Sequence, residues 1–287
     1  MDHIITSPAN PQVKRVQAYQ KKRKERDRDG VFVAEGERLV TEAPSDCIAE
    51  LYLSASYHAA MPPAAERFFV RHKEQAQVVS DEVFAKMSDT KTPQGILAVV
   101  RKNAAVSLPV PEAGDGKRNS TGPLLVLENI QDPGNLGTIL RTSEAAGACG
   151  IVLCGNMADV YQPKVVRSTM GSIFRVPVLQ AETLYGHAPE TPPEEEIIPL
   201  ARHLRTSGYR IVCADMGGDT DYDAFDWKQP VALVIGNEAN GLSDAAKKEA
   251  DVLLRIPMAG KNESLNAAVA TAVLLFEAAR QLRVRTL

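Results

Sequence analysis

Three segments of the chain combine residue types that can bind and position a polar substrate. The first is Glu128-Asn129-Ile130-Gln131-Asp132-Pro133-Gly134-Asn135-Leu136-Gly137-Thr138-Ile139-Leu140-Arg141-Thr142, which passes from an apolar run through a Pro-Gly turn into a helical pattern. Asn135, Thr138 and Arg141 are spaced by three and so share a side of that helix. Asn135 lies near the helix start, where Asn caps well, and Gly134 and Gly137 permit close approach of a ligand or a backbone. Composition alone reads the same segment as a cap and a surface arginine. In the second, Leu233 to Leu242, an apolar strand stops at Gly236 and Glu238 projects from the turn before Gly241; an ordinary strand-to-helix turn has that pattern too. In the third, Ile256 to Ala270, the loop around Gly260 feeds a helix whose first turn offers Ser264 and Asn266. Ala267, Ala268, Ala270 and Ala272 let that helix pack closely, and Val269, Val273, Leu274 and Phe276 form a hydrophobic face.

Other chemistries find no support. Gly260-Lys261 is not a phosphate loop, because Arg255 stands where the upstream glycine is needed. No Gly-x-Gly-x-x-Gly follows a strand, and neither a Gly-x-Ser-x-Gly elbow nor His-Glu-x-x-His occurs. The five histidines share no spacing, and Cys47, Cys149, Cys154 and Cys213 stand singly, so reduced, packed thiols and no metal site are expected. No run approaches the roughly 18 apolar residues of a membrane span, and the N-terminal MDHIITSPANPQVKR lacks the apolar core of a signal peptide. A cytoplasmic protein with no membrane partner is the expectation.

These segments need elements to hold them. The 287 residues suggest two domains. Residues 102–121 mix Pro, Gly, Ser, Asn and charge without periodicity and read as a linker between domains at 1–101 and 122–287. In the first domain short strands (31–34, 47–53, 95–100) alternate with helical stretches (35–43 and 80–87) as a small α/β layer. A basic segment ahead of them reads as one helix that ends at Gly30. In the second domain strands at 124–129, 150–155, 176–179, 209–215, 231–238 and 252–258 alternate with helices, including one at 163–170 and a long last one from Ser264. That pattern predicts a parallel sheet flanked by helices, with ligands beyond the carboxyl ends of its strands. The Gly186–Glu196 stretch reads as a loop leading into a helix.

Taken together, in this order and spacing, the three segments resemble the three motifs of the SpoU (TrmH-like) RNA ribose methyltransferases of the SPOUT superfamily. Asn135 with Arg141-Thr142 answers to motif one, Gly236-Asn237-Glu238 with Gly241 to motif two, and Ile256-Pro257-Met258 with Ser264-Leu265-Asn266 to motif three. Residues 1–101 resemble the substrate-binding domain of many members, through Ser7-Pro8-Ala9-Asn10-Pro11, Val13-Lys14, Lys22-Arg23, Gly30 and Glu35-Gly36. The resemblance implies a C-terminal deep trefoil knot, a rare exception to unknotted connections, and S-adenosyl-L-methionine as cofactor, with backbone contacts from Gly236, Ile256 and Leu265. It also implies a homodimer through the C-terminal domain and methyl transfer to a ribose 2′-hydroxyl. Arg141 is then the catalytic residue, with Asn135, Glu238, Ser264 and Asn266 orienting it, the substrate and the motif-three loop. A guanidinium seldom gives up its proton, so gripping the adjacent phosphate suits Arg141 as well as the role of base.

Thirty-three basic against thirty-six acidic residues give a net charge of −3, which hides an asymmetry. Residues 1–101 carry 15 basic and 14 acidic side chains, residues 122–287 carry 15 and 20, and Lys14 to Arg28 alone holds eight basic and two acidic. Beside a methyltransferase this segment reads as an RNA-docking surface through Lys14, Arg15, Lys21, Lys22, Arg23 and Lys24, and otherwise as a solvated helix face. Ribosomal RNA is the expected substrate given the two-domain layout. The alternatives are a tRNA ribose methyltransferase, a non-catalytic RNA-binding or ribosome-assembly protein on the same fold, and a base methyltransferase.

Overall fold

The computed structural model describes residues 4–102, 122–185, 192–237, 239–260 and 264–283. Most of the expected linker and part of the Gly186–Glu196 loop lie outside them. The chain divides into two compact units, Met1–Ala105 with Asp159–Phe174, and Val106–Ala158 with Arg175–Leu287.

The first unit runs α1 (Pro11–Lys21), α2 (Arg23–Asp29), β1 (Val31–Glu35), α3 (Glu37–Glu42), β2 (Ile48–Ser54), α4 (Ala55–Ala59), α5 (Pro63–Arg71), β3 (Ala76–Val79), α6 (Asp81–Met87) and β4 (Ile96–Arg101). Its sheet has the order β1-β4-β2-β3, with β2 and β3 parallel and the other pairs antiparallel. Asn10 caps α1 by accepting the Gln12 N–H at 2.8 Å, with Pro11 in the first helical position. The single basic helix expected up to Gly30 is in fact two, because Lys22 takes an extended backbone (φ −123°, ψ 114°) between α1 and α2. Each face of the sheet is covered. Val13, Val16 and Tyr19 of α1 pack with Val83, Phe84 and Met87 of α6 on one side, and Leu39, Val40, Phe68 and Phe69 fill the other.

The helix expected at 163–170 forms as α8 (Pro163–Ser168), and it packs against β1 of this unit. Val166 joins the core that holds Phe32 and Ala34, with Tyr161, Ile173 and Phe174 packed against it. The Phe32 ring lies 5.0 Å from Tyr161 and 6.0 Å from Phe174. An apolar excursion of this kind has to be buried somewhere, and the exposed edge of a spacing pattern does not say where.

The second unit runs β5 (Leu124–Glu128), α7 (Pro133–Ala146), β6 (Gly150–Cys154), β7 (Val178–Gln180), α9 (Glu182–Tyr185), α10 (Ile197–Thr206), β8 (Arg210–Ala214), β9 (Thr220–Asp221), β10 (Val231–Ile235), α11 (Asp244–Glu249), β11 (Val252–Arg255) and α12 (Ala267–Arg283). Seven strands in the order β7-β6-β5-β10-β8-β11-β9 form a sheet whose pairs are all parallel, the α/β architecture that the apolar runs predict. Leu124, Val126, Val152, Ile211, Ala232 and Val234 face α10 and α11. Alternate residues such as Leu125, Leu127, Leu153 and Leu233 are equally buried and point to the other face. α7 and α12 pack on one another. α12 starts at Ala267, not at Ser264, and buries Ala267, Ala268, Thr271, Leu274, Leu275 and Ala278. Val269 and Phe276, expected on its hydrophobic face, are 48% and 45% exposed. The buried face mixes small residues with Leu274 and Leu275 and leaves those two outside it.

Candidate active site

β5 is apolar until Glu128, which is 2% exposed. Its carboxylate accepts the Ser243 N–H at 2.9 Å and the Ser243 hydroxyl at 2.6 Å, while Ser243 Oγ accepts the Ala246 N–H and caps α11. The end of β5 is thereby fastened to the segment after motif two. Asn129 follows in the left-handed region (φ 58°). Its Oδ1 accepts the Asn156 N–H at 2.7 Å, and its carbonyl accepts Asn237 Nδ2 at 2.8 Å. Asp132, not Asn135, caps α7, accepting the Asn135 N–H at 2.8 Å. Asn135 sits inside the first turn, so its side chain is released from capping.

Motif two is a closed turn. The Asn237 and Gly241 backbones exchange hydrogen bonds of 3.0 and 2.8 Å, and Asn237 Oδ1 accepts the N–H groups of Ala239 and Asn240. A Cβ on Gly236 would stand 2.4 Å from the Gly241 carbonyl carbon and oxygen, so only glycine lets the strand end lie against the turn. Motif three joins motif one directly, since Asn266 Nδ2 donates to Asn135 Oδ1 at 3.0 Å. Asn266 Oδ1 meanwhile accepts from the N–H groups of Ala268 and Val269 and caps α12.

Between these turns, at the carboxyl ends of β8, β10 and β11, lies a cavity of about 380 Å³. Gly236, Ile256, Ser264 and Leu265 all line it, so the structure gathers three sequence-selected backbone positions and one hydroxyl around one space. Asp215 and Lys247 also line it, paired at 2.7 Å; nothing in the spacing of the motifs pointed to them. Glu128, Asn129 and Asn237 lie within the quoted segments, but their tethering roles depend on partners about 25 to 115 residues away. A lone carboxylate ending an apolar strand was the one signal available for Glu128. Arg141 stands exposed on α7 and makes no hydrogen bond or ion pair among the described residues. Glu238 lies outside the described residues.

In the first unit the basic segment is less free than its composition suggests. Arg15 pairs with Glu50 at 2.6 Å and Arg23 with Asp27 at 3.3 Å. Arg26 is 3% exposed and pairs with Asp159. Lys14, Lys21, Lys22 and Lys24 are exposed and form no ion pair among the described residues. Tyr19 is buried and donates to Asp29 at 2.7 Å; burial first, and then that bond, push its hydroxyl up to about 12.

Residues 122–276 match the SpoU rRNA Methylase family, and residues 10–98 match the MRM3-like substrate binding domain. The 23S rRNA (guanosine(2553)-2′-O)-methyltransferase RlmP of Bacillus subtilis is 30% identical over 88% of this chain and 90% of its own. The AdoMet-bound rRNA methyltransferase from Sinorhizobium meliloti superposes with a TM-score of 0.77 at 32% identity, covering 97% of each chain. The SpoU methyltransferase AviRb from Streptomyces viridochromogenes, in complex with AdoMet, gives 0.77 at 30% identity over 96% of this chain and 99% of its own. With the motif turns, the cavity and the parallel sheet in the same chain, the protein belongs to the SpoU rRNA methylase family.

Proposed function

We propose that the protein transfers a methyl group from S-adenosylmethionine to a ribose 2′-hydroxyl of ribosomal RNA. The observation that carries this is the Asn266–Asn135 hydrogen bond, which ties motif one to motif three beside the cavity walled by motifs two and three. The cavity suits an adenosine. Its volume of about 380 Å³ is in the small-molecule range; Ile235, Leu254, Ile256 and Leu265 give it apolar walls, and Gly236 adds bare backbone to its lining. Gly236, Ile256 and Leu265, which line it, contact the cofactor through their backbones.

When bound, S-adenosylmethionine supplies an activated methyl on a sulfonium, whose departure leaves a neutral thioether. The chain must then hold the hydroxyl in line and ease the loss of its proton. Arg141 keeps its own proton, grips the neighbouring phosphate, and stabilises the developing alkoxide electrostatically; the proton leaves to water or phosphate. Asn135, locked by Asn266, and Glu238 orient Arg141 and the substrate, and Ser264 holds the motif-three loop. Residues 1–101 dock the RNA, with Lys14, Lys21, Lys22 and Lys24 free for phosphates and Arg15 and Arg23 reaching them by exchanging their carboxylate partners. Two copies associate through the second unit, where Val269 and Phe276 offer apolar surface on α12. The trefoil threading of the C-terminal segment and a cytoplasmic location belong to the same reading. The two-unit layout and the likeness to RlmP favour ribosomal RNA over tRNA.

The test is mass-spectrometric mapping of ribose methyls in rRNA and tRNA from cells with and without the gene, complemented by wild type or Arg141→Ala. Loss of one rRNA 2′-O-methyl, restored by wild type only, is the expected result, with Arg141→Ala still binding cofactor in calorimetry. Full turnover by Arg141→Ala would sink the mechanism, and a missing base methyl would sink the ribose assignment.

A further inference from the structure

Asp215 and Lys247 are the charged side chains among the described residues lining the cofactor cavity, and neither belongs to the three motifs. Asp215 follows the end of β8, the strand between β10, which leads to Gly236, and β11, which leads to Ile256. Its Oδ1 accepts the Gly217 N–H at 2.8 Å and its Oδ2 receives Lys247 Nζ at 2.7 Å. The Asp215 side chain is 18% exposed. Burial works to raise its carboxyl, but Lys247 and the Gly217 N–H outweigh it and hold the group below the usual carboxylate range. The result is an ionised carboxylate, fixed by two donors, with a lone pair left on each oxygen.

An acidic side chain at the carboxyl end of a parallel strand is well placed for the vicinal hydroxyls of a nucleoside, which donate to it. We infer that Asp215 binds the ribose diol of the cofactor's adenosine, and that Lys247 is the positioning residue that keeps the carboxylate charged and turned into the cavity. This rests on the cofactor reading above. The amino-acid end of the cofactor is the other polar group to weigh. To bind both its charges here it would have to open the 2.7 Å ion pair, whereas a diol uses lone pairs that the pair leaves free. An Asp–Lys pair is also neutral as a unit and offers a carboxylate no surplus positive charge.

Calorimetry on the full chain separates the possibilities without recourse to turnover. The probes are S-adenosylhomocysteine, its 2′-deoxy and 3′-deoxy analogues, and methylthioadenosine, which keeps the diol and lacks the amino acid. Removing either hydroxyl from the ligand is expected to weaken wild-type binding, a comparison that involves no variant protein. Asp215→Asn is expected to weaken S-adenosylhomocysteine and methylthioadenosine alike, by about 10- to 100-fold, the size of a charge-assisted hydrogen bond. The same substitution should weaken each monodeoxy analogue by a smaller factor than the parent, because one hydroxyl of each still donates to the carboxylate. Lys247→Met should follow Asp215→Asn, and Lys247→Arg should restore affinity. Equal wild-type affinity for parent and deoxy ligands overturns the assignment. So does a loss at Asp215→Asn confined to S-adenosylhomocysteine, which would give the carboxylate to the amino-acid end. Failure of the wild type to bind any of the four removes the cofactor reading itself, a result distinct from the other two.

Discussion

Asn266 does two jobs with one carboxamide. Its oxygen accepts the N–H groups that open α12, and its nitrogen donates to Asn135 on α7. The two can be separated by chemistry. Asn266→Ala removes both, and loss of the cap should cost about 1 kcal/mol of stability, read as a lowered thermal midpoint together with impaired methyl transfer. Asn266→Asp keeps the accepting oxygen and loses the donor, so it should melt like the wild type while transferring methyl far more slowly. Full turnover in the Asp variant would show that the link to Asn135 is irrelevant to the reaction. Both asparagines were visible in the sequence as hydrogen-bonding groups at the starts of two helices, where Asn is favoured. Their hydrogen bond spans 131 residues, and no local pattern encodes it. The same holds for Glu128, whose partner Ser243 is 115 residues away. The cap of α7 was legible in kind but shifted in place, since Asp132 competes for the role three residues earlier and wins it.

At the scale of elements, the basic segment shows how a helix sorts its own charges. The three-residue spacing of Val13, Val16 and Tyr19, which bury against α6, leaves Lys14 and Lys21 outward. It does not show which cations find carboxylates, because Glu50, Asp159 and Lys102's partner Asp27 arrive from distant or neighbouring turns. Replacing Lys21, Lys22 and Lys24 by Ala should weaken RNA binding and flatten its salt dependence, by about 0.7 in the slope of log K against log salt for each phosphate no longer neutralised. Filter binding over a range of salt measures this. Arg26→Ala should behave oppositely. It leaves Asp159, only 14% exposed at its side chain, without its cation, and should cost about 3 kcal/mol in urea unfolding. If Arg26→Ala unfolds like the wild type yet loses RNA, the division between docking lysines and a structural arginine is wrong.

At the scale of the molecule, alternation of apolar runs predicted a parallel sheet, and the count of charges set a nearly neutral first part against an acidic second one. Neither indicated that Asp159–Phe174 would be counted with the first unit, because a core is a property of three-dimensional neighbours and the excursion has ordinary helical composition. The consequence concerns truncation. A fragment of residues 122–287 retains every strand of the seven-stranded sheet and all the described lining of the cavity at the ends of β8, β10 and β11. It also strips Tyr161, Val166, Ile173 and Phe174 of the core that covers them, leaving a contiguous apolar surface of the kind that drives association. The fragment should therefore bind S-adenosylhomocysteine but aggregate, seen as a high-mass fraction in light scattering after size exclusion. Changing Tyr161, Ile173 and Phe174 to Ser in the fragment should shift that fraction to a defined small species with cofactor affinity unchanged. In the full-length chain the same three substitutions should instead lower the stability of the first unit, because there they open its core. A fragment that is already monodisperse, or a triple variant that is harmless in the full chain, would mean that the excursion is not held by the first unit in solution.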